Sequence, residues 1–421
     1  MKKKILALVL IVALVASLAV ALVACDNTDK DNNTVVSFKP IAKENIKFGL
    51  IALHDENSTY DKNFIDAANN AAKKLGVQIS IKRNIPEDNA CYEAAVDLVN
   101  EGCNIIFADS FGHEDYVLKA AQEFPNVRFA HATGTKAHTE LLPNFYNAFA
   151  SIYEGRYLAG VAAGMKLKEM YPDATSLKMG YVGAFPYAEV VSGYTSFYLG
   201  AKSVMNEGVT LTMDVKYTGS WYDPVAEKST AEALIKGGAQ LISQHADSMG
   251  APTACAEYSQ KNGVLIPNVT YNISTKEDIV VDGVTYKSTY LIGSKVNWEP
   301  YFEYLINCVI NGVTAVGFDY VGTLATDSVQ VLEFGNDVSD AIKNAVAAAQ
   351  EELLNGTRKV FDLSTFTKAD GSTITSYIAD VDTDEKFEGD TQVVLNGVFL
   401  ESVYRSAPYF DIRIAGITEL K

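Results

Sequence analysis

The chain has 421 residues, 48% of them apolar, and carries 35 Lys and Arg against 52 Asp and Glu, a net charge of −17. That length allows two or three domains with sizeable cores. The acidic balance, with no strong Lys/Arg cluster to relieve it, argues against a nucleic-acid partner, because such binding depends on cationic contacts to phosphate.

The first element is "MKKK" followed by "ILALVLIVALVASLAVALVA" and Cys25. An apolar run of about 20 residues is long enough for one transmembrane anchor. A basic start and a cysteine directly after the run fit a secretory signal peptide better. "LVAC", Leu22 to Cys25, resembles the lipobox of bacterial lipoproteins, which implies a signal peptide over 1–24 and a lipidated, palmitate-bearing Cys25. Residues 25–44 then form a polar tether. The body is expected on the extracytoplasmic face of the cell membrane, held by that lipid.

A strand–helix rhythm starts at "IKFGLIAL" (46–53). A helix follows over "DKNFIDAANNAAKKLG", with Phe64, Ala68, Ala71 and Leu75 near one face and Gly76 closing it. "VQISIKR" is a strand, "NACYEAAVDLVNEG" a helix, "CNIIFADS" a strand, "HEDYVLKAAQEFP" a helix and "NVRFAHATG" a fourth strand. Another helix covers "YEGRYLAGVAAGMKL". The rhythm restarts with a strand at "LKMGYVGA" (177–184) and a helix at "AEVVSGYTSFYLGAKSVMNEG". "VTLTMDVKYTG" and "AQLISQHADS" are strands around the helix "DPVAEKSTAEALIKGG", where Asp223 reads as an N-cap ahead of Pro224. "APTACAEYSQKNG" and "VLIPNVT" repeat the pair. Residues 288–313 supply a strand, a loop and a helix, and 337–356 a long helix. Residues 357–421 alternate short β-prone runs and turns, and are expected as a hairpin or tail on one lobe. Two successive α/β units with parallel sheets follow from this order. Cys91, Cys103, Cys255 and Cys308 read as small buried apolar residues, with a Cys91–Cys103 bridge open in an oxidising compartment.

Ligands of parallel α/β sheets bind beyond the carboxyl ends of the strands. Polar and aromatic residues recur there in both units: Asp61 and Phe64 after the first strand, Ser110 and Phe111 after the third, then Phe185, Trp221, His245, Asp247, Asn268 and Trp298. Rings remove a flat heterocycle from water, while carboxylates and amides take its polar edges. Several have a bland alternative. Phe64 fits the core as well as a pocket, His245 fits a structural histidine, and Asp61 and Asp247 fit caps. No catalytic residue, metal or cofactor is expected. The sequence lacks GxSxG, HExxH, GxGxxG and Walker patterns, and its five histidines have no metal-ligand spacing.

Four stretches, "ADSFGHED", "FPNVRFAHATG", "YEGRYLAGVAAGM" and "GSWYDP…ALIKGG…ISQHADS", with "NWEPYF" as weaker support, resemble the basic membrane protein family of lipoprotein substrate-binding subunits of ABC importers. The resemblance runs from about Ile46 to Gly356 and is nearest to purine-binding members. It implies a type I periplasmic-binding-protein fold, two Rossmann-like lobes with three crossovers. It also implies a purine nucleoside or nucleobase as ligand and ABC permease subunits as partners. The family's Asp-x-x-aromatic motif falls on Asp61 and Phe64, its second aromatic on Trp221, its His-x-Asp on His245 and Asp247, and its Ser-Phe on Ser110 and Phe111. Ala246 stands where the branch often has threonine, and the lysine that contacts ribose has no counterpart. The expected division is lobe 1 over 45–173, lobe 2 over 174–268, a return to lobe 1 over 269–313, and the lobe 2 remainder with the tail over 314–421. Crossings are expected near 169–177, 266–274 and 311–318. Rival readings are the same fold holding a sugar or other small polar solute, and a sensing or surface lipoprotein without a transporter.

Overall fold

Strands buried on both faces need near-continuous apolar runs, and the runs found in the sequence form two sheets. A computed structural model describes residues 38–315, 318–381 and 389–421. The expected signal peptide, Cys25 and the tether through residue 37 lie outside the described residues. In chain order the strands are β1 (Lys47–Ile51), β2 (Gln78–Lys82), β3 (Ile105–Ala108), β4 (Arg128–Ala132), β5 (Phe145–Ala150), β6 (Ser176–Gly183), β7 (Thr210–Tyr217), β8 (Ile242–Gln244) and β9 (Asn268–Tyr271). A hairpin of β10 (Ile279–Val281) and β11 (Val284–Tyr286) precedes β12 (Tyr290–Val296), β13 (Asp319–Gly322) and β14 (Val329–Val331).

Lobe 1 is a six-stranded parallel sheet in the order β13-β5-β4-β3-β1-β2. Lobe 2 has seven strands in the order β14-β12-β9-β8-β6-β7, completed by Ile417–Leu420; only β14 runs antiparallel to its neighbour. This is the two-lobed α/β architecture expected of a periplasmic-binding-protein fold. Local chemistry starts the elements around the cleft. The Ser58 side chain caps the helix Thr59–Leu75 by accepting from the Asp61 N–H, and Gly76, at φ 70°, ends it in the left-handed region glycine favours. Asp223 caps the helix Pro224–Lys236 by accepting from the Val225 and Ala226 N–H groups.

The chain crosses between lobes three times, but not where expected. It leaves lobe 1 after β5, returns after β12 and leaves again after β13, so the crossings lie near 150–152, 296–299 and 322–329. The expected boundaries at 173, 268 and 313 are corrected accordingly. The first error concerns the helix Ile152–Met170. It packs face to face with Ala188–Lys202 of lobe 2, at a separation only glycine permits. A Cβ on Gly160 would lie 2.0 Å from the Phe197 carbonyl oxygen, and one on Gly200 would lie 2.0 Å from that of Tyr157. Buried Arg156 fixes the same helix to the lobe 2 sheet, donating to the Thr270 carbonyl at 3.2 Å and to Ser243 Oγ at 2.7 Å. Strand–helix alternation reveals that a helix covers a sheet, not which sheet.

The tail is a second correction. Val360, Phe361, Phe366, Phe399 and Phe410 enter the lobe 2 core, yet the tail also reaches lobe 1. Ser406 donates its N–H and Oγ–H to Asp319 Oδ1 of β13, at 2.7 and 2.6 Å. Cys91, Cys103, Cys255 and Cys308 are all free and buried, so the Cys91–Cys103 bridge is not formed.

Candidate functional site

The carboxyl ends of strands from both sheets converge on one cavity of about 250 Å³ between the lobes. Lobe 1 supplies Leu53, His54, Tyr60 and Asp61 beyond β1, Ser110 and Phe111 beyond β3, and Thr133 and Thr135 beyond β4. Lobe 2 supplies Tyr187 and Glu189 beyond β6, Trp221 beyond β7, His245 and Asp247 beyond β8, and Tyr271 at the end of β9. The tail closes the remaining side with Asp380, Arg405, Ala407 and Pro408. That is close to the lower end of small-molecule pockets, roughly 300–1,000 Å³, and leaves room for one small ligand. The lobes touch beside it, where the Thr59 N–H donates to the Asp247 carbonyl at 2.9 Å.

The carboxylates are held differently. Asp61 accepts from the His54 N–H at 2.7 Å and from Ser58 Oγ at 2.5 Å. Burial pushes its carboxyl up, but the bonds from His54 and Ser58 prevail and hold it below the usual range. Asp247 is buried, its Oδ1 has no partner among the described residues, and its N–H is taken by the Trp221 carbonyl at 2.9 Å. Burial, then the charges of Glu227, Asp61 and Glu189, push its carboxyl well above the usual range. A ligand donor placed on Asp247 would relieve that state, because an unpaired buried acceptor is costly. His245 uses both ring nitrogens within lobe 2, with Tyr181 Oη at 3.1 Å and Glu189 Oε1 at 2.7 Å. It lines the cavity and holds Glu189, which also accepts from Tyr271 Oη at 3.4 Å.

Aromatic rings make up much of the remaining lining. Tyr187 lies 5.5 Å from Phe111 across the cleft and 5.9 Å from Trp221, centroid to centroid. Phe111 and Tyr187 are 46% and 44% exposed, so flat apolar area remains uncovered there.

Of the residues singled out from sequence, Asp61, Ser110, Phe111, Trp221, His245 and Asp247 share this lining. Four others do not. Phe64 is fully buried and stacks on Trp298 at 4.4 Å, both in the lobe 1 core. Tyr60, one turn earlier, packs against Phe64 and takes the place at the cavity. Phe185 stands behind the wall, edge-on to Trp221 at 5.1 Å. Asn268 begins β9 rather than ending it, and donates to the Ile242 carbonyl at 3.3 Å inside the sheet. Glu189, Tyr187 and Tyr271 lie at strand ends that sequence reasoning could have reached. Arg405, Ala407 and Pro408 carry no such signal. No cluster of His, Cys, Asp and Glu fit for a metal occurs among the described residues.

Residues 49–364 match the family model described as Bmp: ABC transporter substrate-binding protein PnrA-like. The chain belongs to the Bmp family. The expected basic membrane protein resemblance is thereby met. Bmp proteins are non-catalytic components of transport, so this chain is the substrate-binding component of an ABC transporter and not an enzyme. It is 31% identical over 277 residues to "Purine-binding protein BAB2_0673" of Brucella abortus, covering 64% of this chain and 71% of that one. It is 31% identical to the "Putative ABC transporter glucose-binding protein TsgA13" of Haloferax volcanii, over 62% of this chain and 60% of that one. It is 24% identical to the "ABC transporter nucleoside-binding protein BmpA" of Lactococcus lactis, over 85% and 98%. Among solved structures, an ABC transporter solute-binding protein of Aeropyrum pernix shares the fold at a TM-score of 0.61 and 16% identity, covering 77% of this chain and 93% of that one.

Proposed function

We propose that this Bmp protein captures one purine nucleoside or nucleobase outside the cytoplasm and passes it to ABC permease subunits. Lipidated Cys25 holds it at the membrane. The observation that carries the reading is Asp247, a buried carboxyl with an oxygen unpartnered among the described residues, in the lining of a cavity that also carries aromatic rings. A purine brings both halves of the match, a flat π-face for Phe111, Tyr187 and Trp221 and N–H or ribose O–H donors for Asp247 and Asp61. The Brucella and Lactococcus relatives, named for purine and nucleoside binding, support this choice.

A second reading is a sugar, favoured by the four carboxylates in the lining and by the Haloferax relative's name. Titration calorimetry of the purified protein with adenosine, inosine, adenine and glucose separates the two. Purine binding is expected, and Trp221→Ala and Asp247→Ala should each weaken it at least tenfold with the melting temperature retained. Heat from glucose alone would reject the purine reading. Unchanged affinity in both variants would reject the site.

A further inference from the structure

The family match ends at residue 364, yet the cavity is closed by residues beyond it. The segment Glu401–Pro408 lies across the cleft mouth. On one side Ser192 Oγ of lobe 2 donates to buried Glu401 Oε1 at 2.5 Å. On the other, Ser406 is held by Asp319 of lobe 1, whose Oδ2 pairs with His138 Nδ1 at 2.9 Å. Tyr409 Oη braces the turn between them by accepting from the Val403 N–H at 3.0 Å. A segment bonded at both ends holds its side chains in fixed directions.

Arg405 sits in the middle of this segment and lines the cavity. Of the Lys and Arg among the described residues it is the one in that lining, which otherwise carries the carboxylates Asp61, Glu189, Asp247 and Asp380. Its guanidinium is oriented from behind. Nε donates to the Ala407 carbonyl at 3.1 Å and Nη2 to that of Pro408 at 3.4 Å. Arginine has five N–H donors. Two are spent on these carbonyls, which among the described residues leaves both N–H groups of Nη1 and one of Nη2, the pair that forms a parallel fork. Such a fork fits two adjacent acceptors on one planar edge. An anionic ligand would meet the carboxylates of Asp61, Glu189 and Asp380 in the same space, so a neutral acceptor edge is the better match.

We infer that Arg405, supplied by a segment outside the family-matched region, determines specificity by taking the O6/N7 edge of a 6-oxopurine. This rests on the purine reading above. A 6-oxopurine presents two acceptors on that edge, whereas a 6-aminopurine presents one acceptor and one donor, which collides with an all-donor fork. The remaining polar edge of the base and the sugar hydroxyls then fall to the carboxylates.

The experiment is titration calorimetry of the full chain with inosine, adenosine and inosine 5′-monophosphate, for wild type, Arg405→Met and Arg405→Lys. Wild type should favour inosine over adenosine at least tenfold, and Arg405→Met should bring that ratio within about threefold. Arg405→Lys keeps the charge and stem but not the fork, so it too should lose most of the preference, which keeps the test open if Arg405→Met folds poorly. A wild-type protein that binds both nucleosides without preference, or a preference retained in the folded variants, overturns the inference and leaves the purine reading intact. Binding of neither nucleoside by wild type overturns this inference, and if adenine also fails to bind, the purine reading falls with it. A monophosphate that binds more tightly than inosine, with the gain lost in both variants, assigns Arg405 to phosphate and overturns the base-edge role.

Discussion

Glu401 shows how one side chain couples the tail to pH. It is 2% exposed, and burial, followed by the charges of Glu189 and Glu154, pushes its carboxyl up to about 8 despite the opposing bond from Ser192. A carboxyl whose pKa is higher folded than unfolded binds its proton more tightly in the folded state. Its contribution to stability is therefore full below its ordinary pKa near 4.5 and is lost progressively as pH rises towards about 8. Glu401→Gln cannot ionise and keeps an acceptor for Ser192. The variant should melt with wild type near pH 4.5 and several degrees above it at pH 9. Other buried carboxyls, such as Glu227, held up to about 7 by burial, are common to both proteins and cancel in the comparison. Parallel melting curves across that range would show that Glu401 stays hydrated. At this scale the sequence was informative where a residue follows a strand, as Asp61, Ser110 and Asp247 do. It was ambiguous where a helical face has two neighbours. Tyr60 and Phe64 are one turn apart, and only the packing of Trp298 decides that Phe64 turns inwards.

Elements are where glycine decides membership. The helices Ile152–Met170 and Ala188–Lys202 approach until backbone meets backbone at Gly160 and Gly200. The stretch "YLAGVAAG" therefore encodes a packing seam. Gly160→Ala places a methyl group 2.0 Å from the Phe197 carbonyl oxygen, which the seam can accept only by separating. Overpacking of this kind costs about 1–3 kcal/mol, opposed by alanine's better helix propensity of roughly 1 kcal/mol. The clash is with backbone rather than a side chain, which puts the cost at the upper end of that range, so a net loss of up to about 2 kcal/mol should appear in urea unfolding at an unchanged slope. A gain in stability would show that the helices slide apart at little cost. The central strands, such as β3 and β4, were legible because both faces are buried and the apolar runs are continuous. The allegiance of each helix was not, since it depends on contacts such as that of Arg156 with Ser243, far apart in the chain. β13 was missed for a related reason. It is four residues long and only partly buried, an edge strand whose one neighbour is β5.

For the whole molecule, the repeated rhythm made two lobes and an intervening cleft readable, whereas the tail's span was not, because residues 357–421 contain no helix among those described and only short strands. That span bears on ligand release. Lobes of this architecture open by hinge motion about their crossing segments, and the tail adds a second fastening away from those segments, from Ser192 through Glu401 and Ser406 to Asp319. Asp319→Ala removes both acceptor contacts to Ser406. Hydrogen bonds to a charged group contribute about 1.5–3 kcal/mol each, so even one such loss, felt mainly in the closed state, should speed ligand release at least tenfold. Association, limited by encounter and orientation, should change much less. Ser406→Ala keeps the backbone N–H bond and should give a smaller effect in the same direction. Stopped-flow tryptophan fluorescence with a purine nucleoside reads both rates, since Trp221 lies at the cavity and Trp298, the other tryptophan, is in the core. Faster release in Asp319→Ala and a graded response in Ser406→Ala would establish the tail as a fastening on the closed lobes. Equal release rates in all three proteins would mean that the lobes part, or the ligand leaves, without breaking the bond between Ser406 and Asp319.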